Sequence, residues 1–286
     1  MKKVLTALVM SVASMTALAQ QAEMIVSYDY SFPSLRRGMK KEKMTLLASA
    51  KESKYFNDMS LWVDSLKSTP EGKEKYREIF NKACVVTTAE GMSIDLRKGP
   101  NKSIYTYVFT TPEQESLTLY DKLGGELVYY TEPLSELSWE IHPDSTATIL
   151  GYECVKAEAD YHGRHWTAWF SPEVPMPYGP WKLHGLPGLI FKAGAEGGFL
   201  FEATGIEATD RLITPMYKQD DYSKVDRLKA LDDHEYYNNN TESMLNARFG
   251  GKVKIQKTYD ENGKEVEDPK YDGRTLSLEP DYKKDK

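Results

Sequence analysis

Three histidines crowd the middle of the chain: His162 and His165 bracket Gly163-Arg164, and His184 follows a proline-rich stretch. Imidazoles gathered from a turn and a nearby loop are what a zinc-type site needs. His162, His165 and His184 are therefore the candidate metal ligands, and a hydrolase or metal-dependent enzyme is the chemistry they would serve. Their spacing gives the rings no common direction, so exposed or hydrogen-bonded histidines are the plainer reading. Glu140, Glu153, Glu158 and Asp160 offer carboxylates that could flank a glycosidic bond, although in an acidic chain they read first as a solvated face. Neither Cys84 nor Cys154 has the CxxC neighbour or His partner of a catalytic thiol. P-loop, dinucleotide, HExxH, GxSxG and EF-hand patterns are all missing. No catalytic residue is assigned and no cofactor is expected.

The aromatic residues are more telling. Trp139, Trp166 and Trp169 fall close to Tyr129, Tyr130 and Tyr161, all in strand-like segments. Trp166 and Trp169 should point to opposite faces of their strand, one into the core and one lining a concave side. A curved sheet with an aromatic concave face suits an apolar ligand, and ordinary core packing is the alternative.

The elements that would position these residues are mostly strands. Met24 to Ser31 alternates apolar and polar residues, and Met44 to Ala50 reads as a second strand. The period then turns helical through Leu61, Trp62 and Leu66 and through Tyr76, Ile79, Phe80 and Ala83. Thr69 as N-cap and Pro70 at the first helical position split that stretch into a helix pair. From Ile94 to Phe201 short strands recur, separated by Gly99-Pro100, Gly124-Gly125, Pro143-Asp144, His162-Gly163 and Gly197-Gly198. Helical character returns over residues 222–249, and Asp260 to Gly263 reads as a turn. These signals predict a mainly β fold: a curved antiparallel sheet, an open or partly closed barrel, with helices near 57–82 and 222–249 packed on or capping its concave side. Strand–helix alternation is lacking, which argues against a parallel nucleotide-binding sheet.

Lys2 and Lys3 followed by the apolar run Val4 to Leu18 and by Ala17-Leu18-Ala19 form a signal peptide, residues 1–19, with cleavage expected before Gln20. No cysteine sits there to carry a lipid, so the mature chain is expected in the periplasm or secreted, without a lipid anchor or a transmembrane segment. In an oxidising compartment Cys84 and Cys154 are either bridged or two separately buried thiols. Residues 20–280 should form one domain and 281–286 a charged, disordered tail. With 37 Lys+Arg against 43 Asp+Glu the formal charge is −6, and the absence of a basic block argues against a nucleic-acid footprint.

One stretch departs from the generic. It comprises Gly151-Tyr152-Glu153-Cys154-Val155, Gly163-Arg164-His165-Trp166-Thr167-Ala168-Trp169-Phe170, Gly179-Pro180-Trp181-Lys182 and Gly185-Leu186-Pro187-Gly188-Leu189-Ile190. It resembles the GLPGLI family (Porph_ging) of exported Bacteroidota proteins over residues 136–205, with a weaker echo at Leu276-Ser277-Leu278-Glu279. That resemblance implies work in the cell envelope, where many members are encoded beside TonB-dependent outer-membrane receptors, and carries no established activity. Within the motif, Gly185 and Gly188 flank the φ-restricting Pro187, which favours a defined turn ahead of Leu189-Ile190-Phe191. Gly188 is expected to hold positive φ or to run close to Trp181, and Gly151 and Gly163 mark hairpin turns. Residues 172–188, stiffened by Pro175, Pro177 and Pro180, should form an ordered loop that Trp181 packs onto the sheet. The loop is either a folding staple or a recognition lip in which Trp181, Leu186 and Pro187 contact a partner. The leading expectation is a non-catalytic binder of an apolar or amphipathic ligand or of an outer-membrane receptor. A structural accessory of an outer-membrane complex is the other non-enzymatic reading.

Overall fold

The computed structural model describes residues 20–35, 38–88, 91–94, 98–251, 258–259, 265–266 and 269–283. The expected signal peptide (1–19), the expected turn at 260–263 and residues 284–286 lie outside the described residues. A short β1 (Gln20–Gln21) precedes the long hairpin of β2 (Met24–Ser34) and β3 (Gly38–Ala48), paired without a break from Met24 opposite Ala48 to Ser34 opposite Gly38. After β4 (Ser53–Phe56), α1 (Asp58–Lys67), α2 (Pro70–Cys84) and the hairpin β5 (Val85–Thr88) with β6 (Gly91–Ile94) leave the sheet. It resumes with β7 (Tyr107–Thr111), β8 (Ser116–Leu123) and β9 (Glu126–Pro133). A second meander follows: β10 (Glu140–Ile149), β11 (Tyr152–Tyr161), β12 (Arg164–Ser171), β13 (Leu189–Ala195) and β14 (Phe199–Ala208). The chain then runs through β15 (Leu212–Ile213), β16 (Ser223–Lys224), α3 (Arg227–Asn239) and α4 (Thr241–Phe249). The small hairpin β17 (Thr258–Tyr259) with β18 (Glu265–Val266) and the single turn α5 (Gly273–Leu276) come last.

Twelve strands make one sheet in the order β10-β11-β12-β13-β14-β2-β3-β4-β7-β8-β9-β16. Its two meanders are joined by β14 against β2, and every pairing is antiparallel except the short parallel contact of β16 with β9. The sheet is not closed into a barrel, since β10 and β16 are edges that do not pair. No helix among the described residues is long and apolar enough to cross a membrane.

Alternation decides what each face buries. Along β2, Val26, Tyr28 and Tyr30 are buried between Ser27, Asp29 and Ser31, which are not. These rings join Leu46, Tyr55, Trp166, Phe191 and Phe201 in the main core, on the face toward which the sheet curls. The opposite pleat positions, Leu47, Phe56, Tyr107 and Tyr120, form a second cluster under Ile213, Met216 and Tyr222 from the segment after β14. Helix starts follow the sequence: the Asn57 and Thr69 side chains accept from Ser60 N at 3.1 Å and Gly72 N at 3.0 Å, with Pro70 at the first position of α2.

Helix α3 lies over the concave face, where Leu231 joins the wall of a cavity. The first helix pair goes elsewhere. In α1, Leu61 packs into the second cluster and Asp64 accepts from the Tyr107 hydroxyl, so this helix serves the outer face rather than the concave one. Its apolar stripe found the row of rings left by the outward positions of β4 and β7. Cys84 and Cys154 are both buried and free, so no bridge forms. Cys84 ends α2 beside Phe80 and Gly99, whereas Cys154 sits mid-strand in the main core, where burial pushes its thiol up to about 11. The expected disordered tail is also partly ordered: Pro280–Tyr282 form a helical turn, with Tyr282 and Lys283 both bonded to Glu235.

Candidate functional site

The loop over residues 172–188 contains no helix, as its prolines require. It is tied down by Leu189 N to Val174 O at 2.9 Å, Ile190 N to Tyr178 O at 3.0 Å and Gly185 N to Pro177 O at 3.0 Å. Gly188 makes the loop possible. A Cβ there would lie 2.1 Å from the Ser171 carbonyl oxygen, so the close approach is to the end of β12 rather than to Trp181. A turn closed by Leu183 N to Pro180 O at 3.1 Å sets Trp181 at φ +54°. A bulky residue rarely adopts that conformation, which costs about 1–3 kcal/mol. The Trp181 ring is buried against Trp166 at 5.6 Å between centroids, and Trp166 in turn lies 6.1 Å from Phe201.

The same turn drives Lys182 inward until its side chain has no exposure. Its ammonium lies 2.5 Å from Glu132 and 2.8 Å from Glu279, over the face of Tyr130. Arg227, at the start of α3, reaches Glu132 at 3.0 Å, Glu279 at 2.9 Å and Asp281 at 2.5 Å. His162 completes the group, with Nε2 3.1 Å from Glu132 and Nδ1 3.3 Å from Asp281. His162 and Gly163 form a two-residue turn with φ of +52° and +79°, the geometry that matches the twist of a hairpin. An imidazolium there balances three carboxylates with three cations. The cluster joins β9, the β11–β12 turn, the 172–188 loop, α3 and the C-terminal segment, so it clamps the covering elements onto the sheet.

Protonation follows from this geometry. Burial opposes charge on His162, but hydrogen bonds to Asp281 and Glu132 outweigh it and raise the pKa above 6.5. Burial would raise Glu132 too, yet His162 and Lys182 hold it down to about 2, and Arg227 and His162 depress Asp281 despite its own burial. The raised imidazole contributes stability that is complete below pH 6.5 and is lost as pH rises through its folded value. The depressed carboxylates contribute stability that is present above their ordinary values of 4.5 and 3.8 and is lost in acid. The melting temperature is therefore expected to fall on both sides of a mildly acidic optimum. His162→Gln should remove the alkaline slope; an alkaline slope unchanged in that variant would show that another group causes it.

Beside the cluster, a cavity of about 330 Å³ lies between the concave face and its cover of α3 and residues 271–279. Tyr30, Tyr55, Phe201 and Trp181 supply aromatic wall, and Leu231, His234 and Leu278 close it. The Tyr55 hydroxyl is buried with no hydrogen-bond partner. Asp121 also lines the cavity, accepting from Thr106 Oγ1 and Lys122 N, each at 2.6 Å, and burial raises its pKa. His234 accepts at Nδ1 from Gly124 N at 3.1 Å and is held neutral by burial.

The three candidate histidines do not assemble. His184 is buried with both ring nitrogens on backbone carbonyls, Lys182 O at 2.6 Å and Leu134 O at 3.0 Å. His165 lies on the outer face, 2.8 Å from Asp160, and His162 belongs to the ion cluster. Among the described residues, the grouping with metal-like spacing is Glu132, Glu136 and His162, and there Lys182 and Arg227 already neutralise Glu132. Glu158 pairs with His142 and Lys156, and Glu140, Glu153 and Asp160 are exposed. None of these four carboxylates lines the cavity. Trp166 points inward into the core and Trp169 to the outer groove beside Lys192, so the concave side takes the core tryptophan and not its neighbour. Trp139 is half-buried and donates to His184 O at 2.7 Å; Leu186 is buried, while Pro187 and Gly185 are exposed.

Sequence reading missed Lys182, Glu132, Arg227, Glu279, Asp281 and Asp121. Asp121 had a legible signal, because Leu117, Leu119, Asp121 and Leu123 share one side of an alternating strand and one of the four is charged. Glu279 stands in the short C-terminal echo of the motif. Arg227 and Glu132 had none.

Fold and site thus define a mainly β protein with an open curved sheet and a covered aromatic cavity. No family model matches the chain, and no curated protein matches it. Among solved structures it is similar to PNGF-II in a C2 crystal form, with a TM-score of 0.46 and 15% identity over 74% of this chain and 32% of that one. For PNGF-II in a P21 form the TM-score is 0.47 and the identity 15%, over 74% and 33%. The chain spans about a third of the length of those structures.

Proposed function

We propose that the protein is a non-catalytic binder that holds a small apolar or amphipathic ligand in the concave cavity. The carrying observation is the aromatic cavity with a buried Tyr55 hydroxyl that no protein group satisfies. Buried polar groups are normally paired, and an unpaired one on a residue of the cavity wall is a group that a bound ligand would complete. At about 330 Å³ the space lies at the lower end of the range for small-molecule sites, which favours a single short chain or ring system over a two-chain lipid. Export through the 1–19 signal peptide and membership of the GLPGLI family are part of the same proposal, and an outer-membrane receptor is the partner to which such a carrier would deliver. The enzymatic alternative loses its support with the separation of His162, His165 and His184.

The test uses the tryptophans at the cavity. Trp181 lines it and Trp166 packs against Trp181, so titration of the mature protein with 1-octanol should give a saturable change in tryptophan emission. Leu231→Trp, which fills the cavity from the lid, should abolish that change while the protein stays folded. Lack of saturable binding by neutral, cationic and anionic eight-carbon amphiphiles alike would overturn the reading.

A further inference from the structure

The cavity holds its charge on one side only. Among the described lining residues are two carboxylates, Asp121 and Glu279, and no Lys or Arg. Glu279 is already satisfied by Lys182, Arg227 and the Tyr130 hydroxyl. Asp121 is not. It accepts from a hydroxyl and a backbone N–H, and no ion pair involves it among the described residues. Lys102, whose charge acts on Asp121 from a distance, pairs with Asp64 at 2.6 Å, and the Lys122 ammonium sits over the Tyr105 ring. A carboxylate has about four acceptor positions, so two donors leave room for more.

We propose that the ligand is an organic cation: an amphipathic amine whose ammonium sits at Asp121 and whose apolar part lies against the aromatic wall. This inference rests on the cavity being a binding site and specifies which ligand it takes. The lining of the cavity supports it. Asp121 is half-buried, and an incoming ammonium would supply both an opposite charge and further donors to its carboxylate. Tyr30, Tyr55 and Phe201 give the cavity a carbon wall that matches a hydrocarbon body, with Tyr30 stacked between Phe32 and Phe201. Tyr55, whose hydroxyl has no partner, belongs to the same wall. A metal ion fits less well, because hard divalent cations need six or more oxygen ligands and most of this wall is carbon. A fatty-acid carboxylate would meet Asp121 as a like charge.

Octylammonium, 1-octanol and octanoate share a chain and differ in head charge, so their binding to the intact mature protein separates the cases. Octylammonium is expected to bind at least about tenfold more tightly than octanol, a difference of about 1.4 kcal/mol, with octanoate the weakest. Asp121→Asn should bring octylammonium down to the level of octanol and leave octanol within about twofold. Equal binding of octanol and octylammonium to the wild type would overturn the cation assignment and leave the cavity reading standing. Binding of none of the three would remove both. If Asp121→Asn does not fold, the wild-type ranking decides alone. If it folds and the preference for octylammonium persists, Asp121 is not the recognising group and the inference fails.

Discussion

Lys182→Met is expected to destabilise the protein by about 3–5 kcal/mol, the range seen when one partner of a buried ion pair is removed. The methylene stem survives in this variant, so the loss is electrostatic. Glu132 and Glu279 would stay almost fully buried while losing contacts of 2.5 and 2.8 Å. Arg227 still reaches both, so the structure should loosen where Lys182 alone bridges, between the 172–188 loop and the C-terminal segment. Urea unfolding should show a lower midpoint with an unchanged slope. Lys182→Met combined with Glu279→Gln should be less destabilising than the sum of the single changes, because each removes the charge that the other leaves unpaired. Lys41→Met provides the comparison. Lys41 pairs with Asp29 at 3.2 Å but its side chain is 58% exposed, and loss of such a pair changes stability by roughly 1 kcal/mol or less. Similar effects for Lys182→Met and Lys41→Met would mean that the cluster contributes nothing beyond an ordinary surface contact.

Gly188→Val should be comparably severe, by a different route. The added Cβ would sit 2.1 Å from Ser171 O and 2.6 Å from Ser171 C. Both are backbone atoms, so no side-chain rotation relieves the overlap, and either β12 or the start of β13 must move. Overpacking of this kind costs about 1–3 kcal/mol even when side chains can adjust, so about 3 kcal/mol or more is expected, with a lower yield of folded protein. Gly188→Ala carries the same Cβ and should show the same defect with less bulk. Gly185→Ala tests the mechanism: its Cβ would meet nothing within 4 Å, although φ is +87°. That change should cost about 1–2 kcal/mol, the penalty of a left-handed backbone for an L-residue. If Gly185→Ala proved as damaging as Gly188→Ala, backbone conformation and not close approach would explain the motif.

These two positions show how far the residues alone could be read. The motif loop was recognisable as an ordered, non-helical turn because its prolines and glycines restrict the backbone locally. The partner of Gly188 was not, because Ser171 approaches it through the geometry of the loop closing back on β12. Lys182 lies next to Trp181 in a segment already singled out, but nothing local marks a lysine as buried. Its burial depends on Glu132 and Glu279, which arrive from 50 positions before it and 97 after it.

By itself the sequence determined the elements. Alternation set the strands and the face that each residue takes, Gly124-Gly125, His162-Gly163 and Gly197-Gly198 set hairpins, and Thr69 and Pro70 set where α2 begins, whereas Pro143-Asp144, expected as a turn, lies inside β10 at a shift of register between His142 and Thr146. These are short-range effects of backbone sterics, capping and side-chain period, and they act before any distant contact forms. Tertiary structure decided which elements meet: β14 against β2, α1 on the outer face, α3 over the concave one, two cysteines kept apart and three histidines sent to three different surroundings. It also decided that Asp121 faces an aromatic cavity with no ion pair among the described residues, while Lys182, Arg227 and His162 all converge on other carboxylates. Burial and electrostatics are sums over neighbours from remote parts of the chain, so such a site exists only once the sheet has curled and its cover has closed.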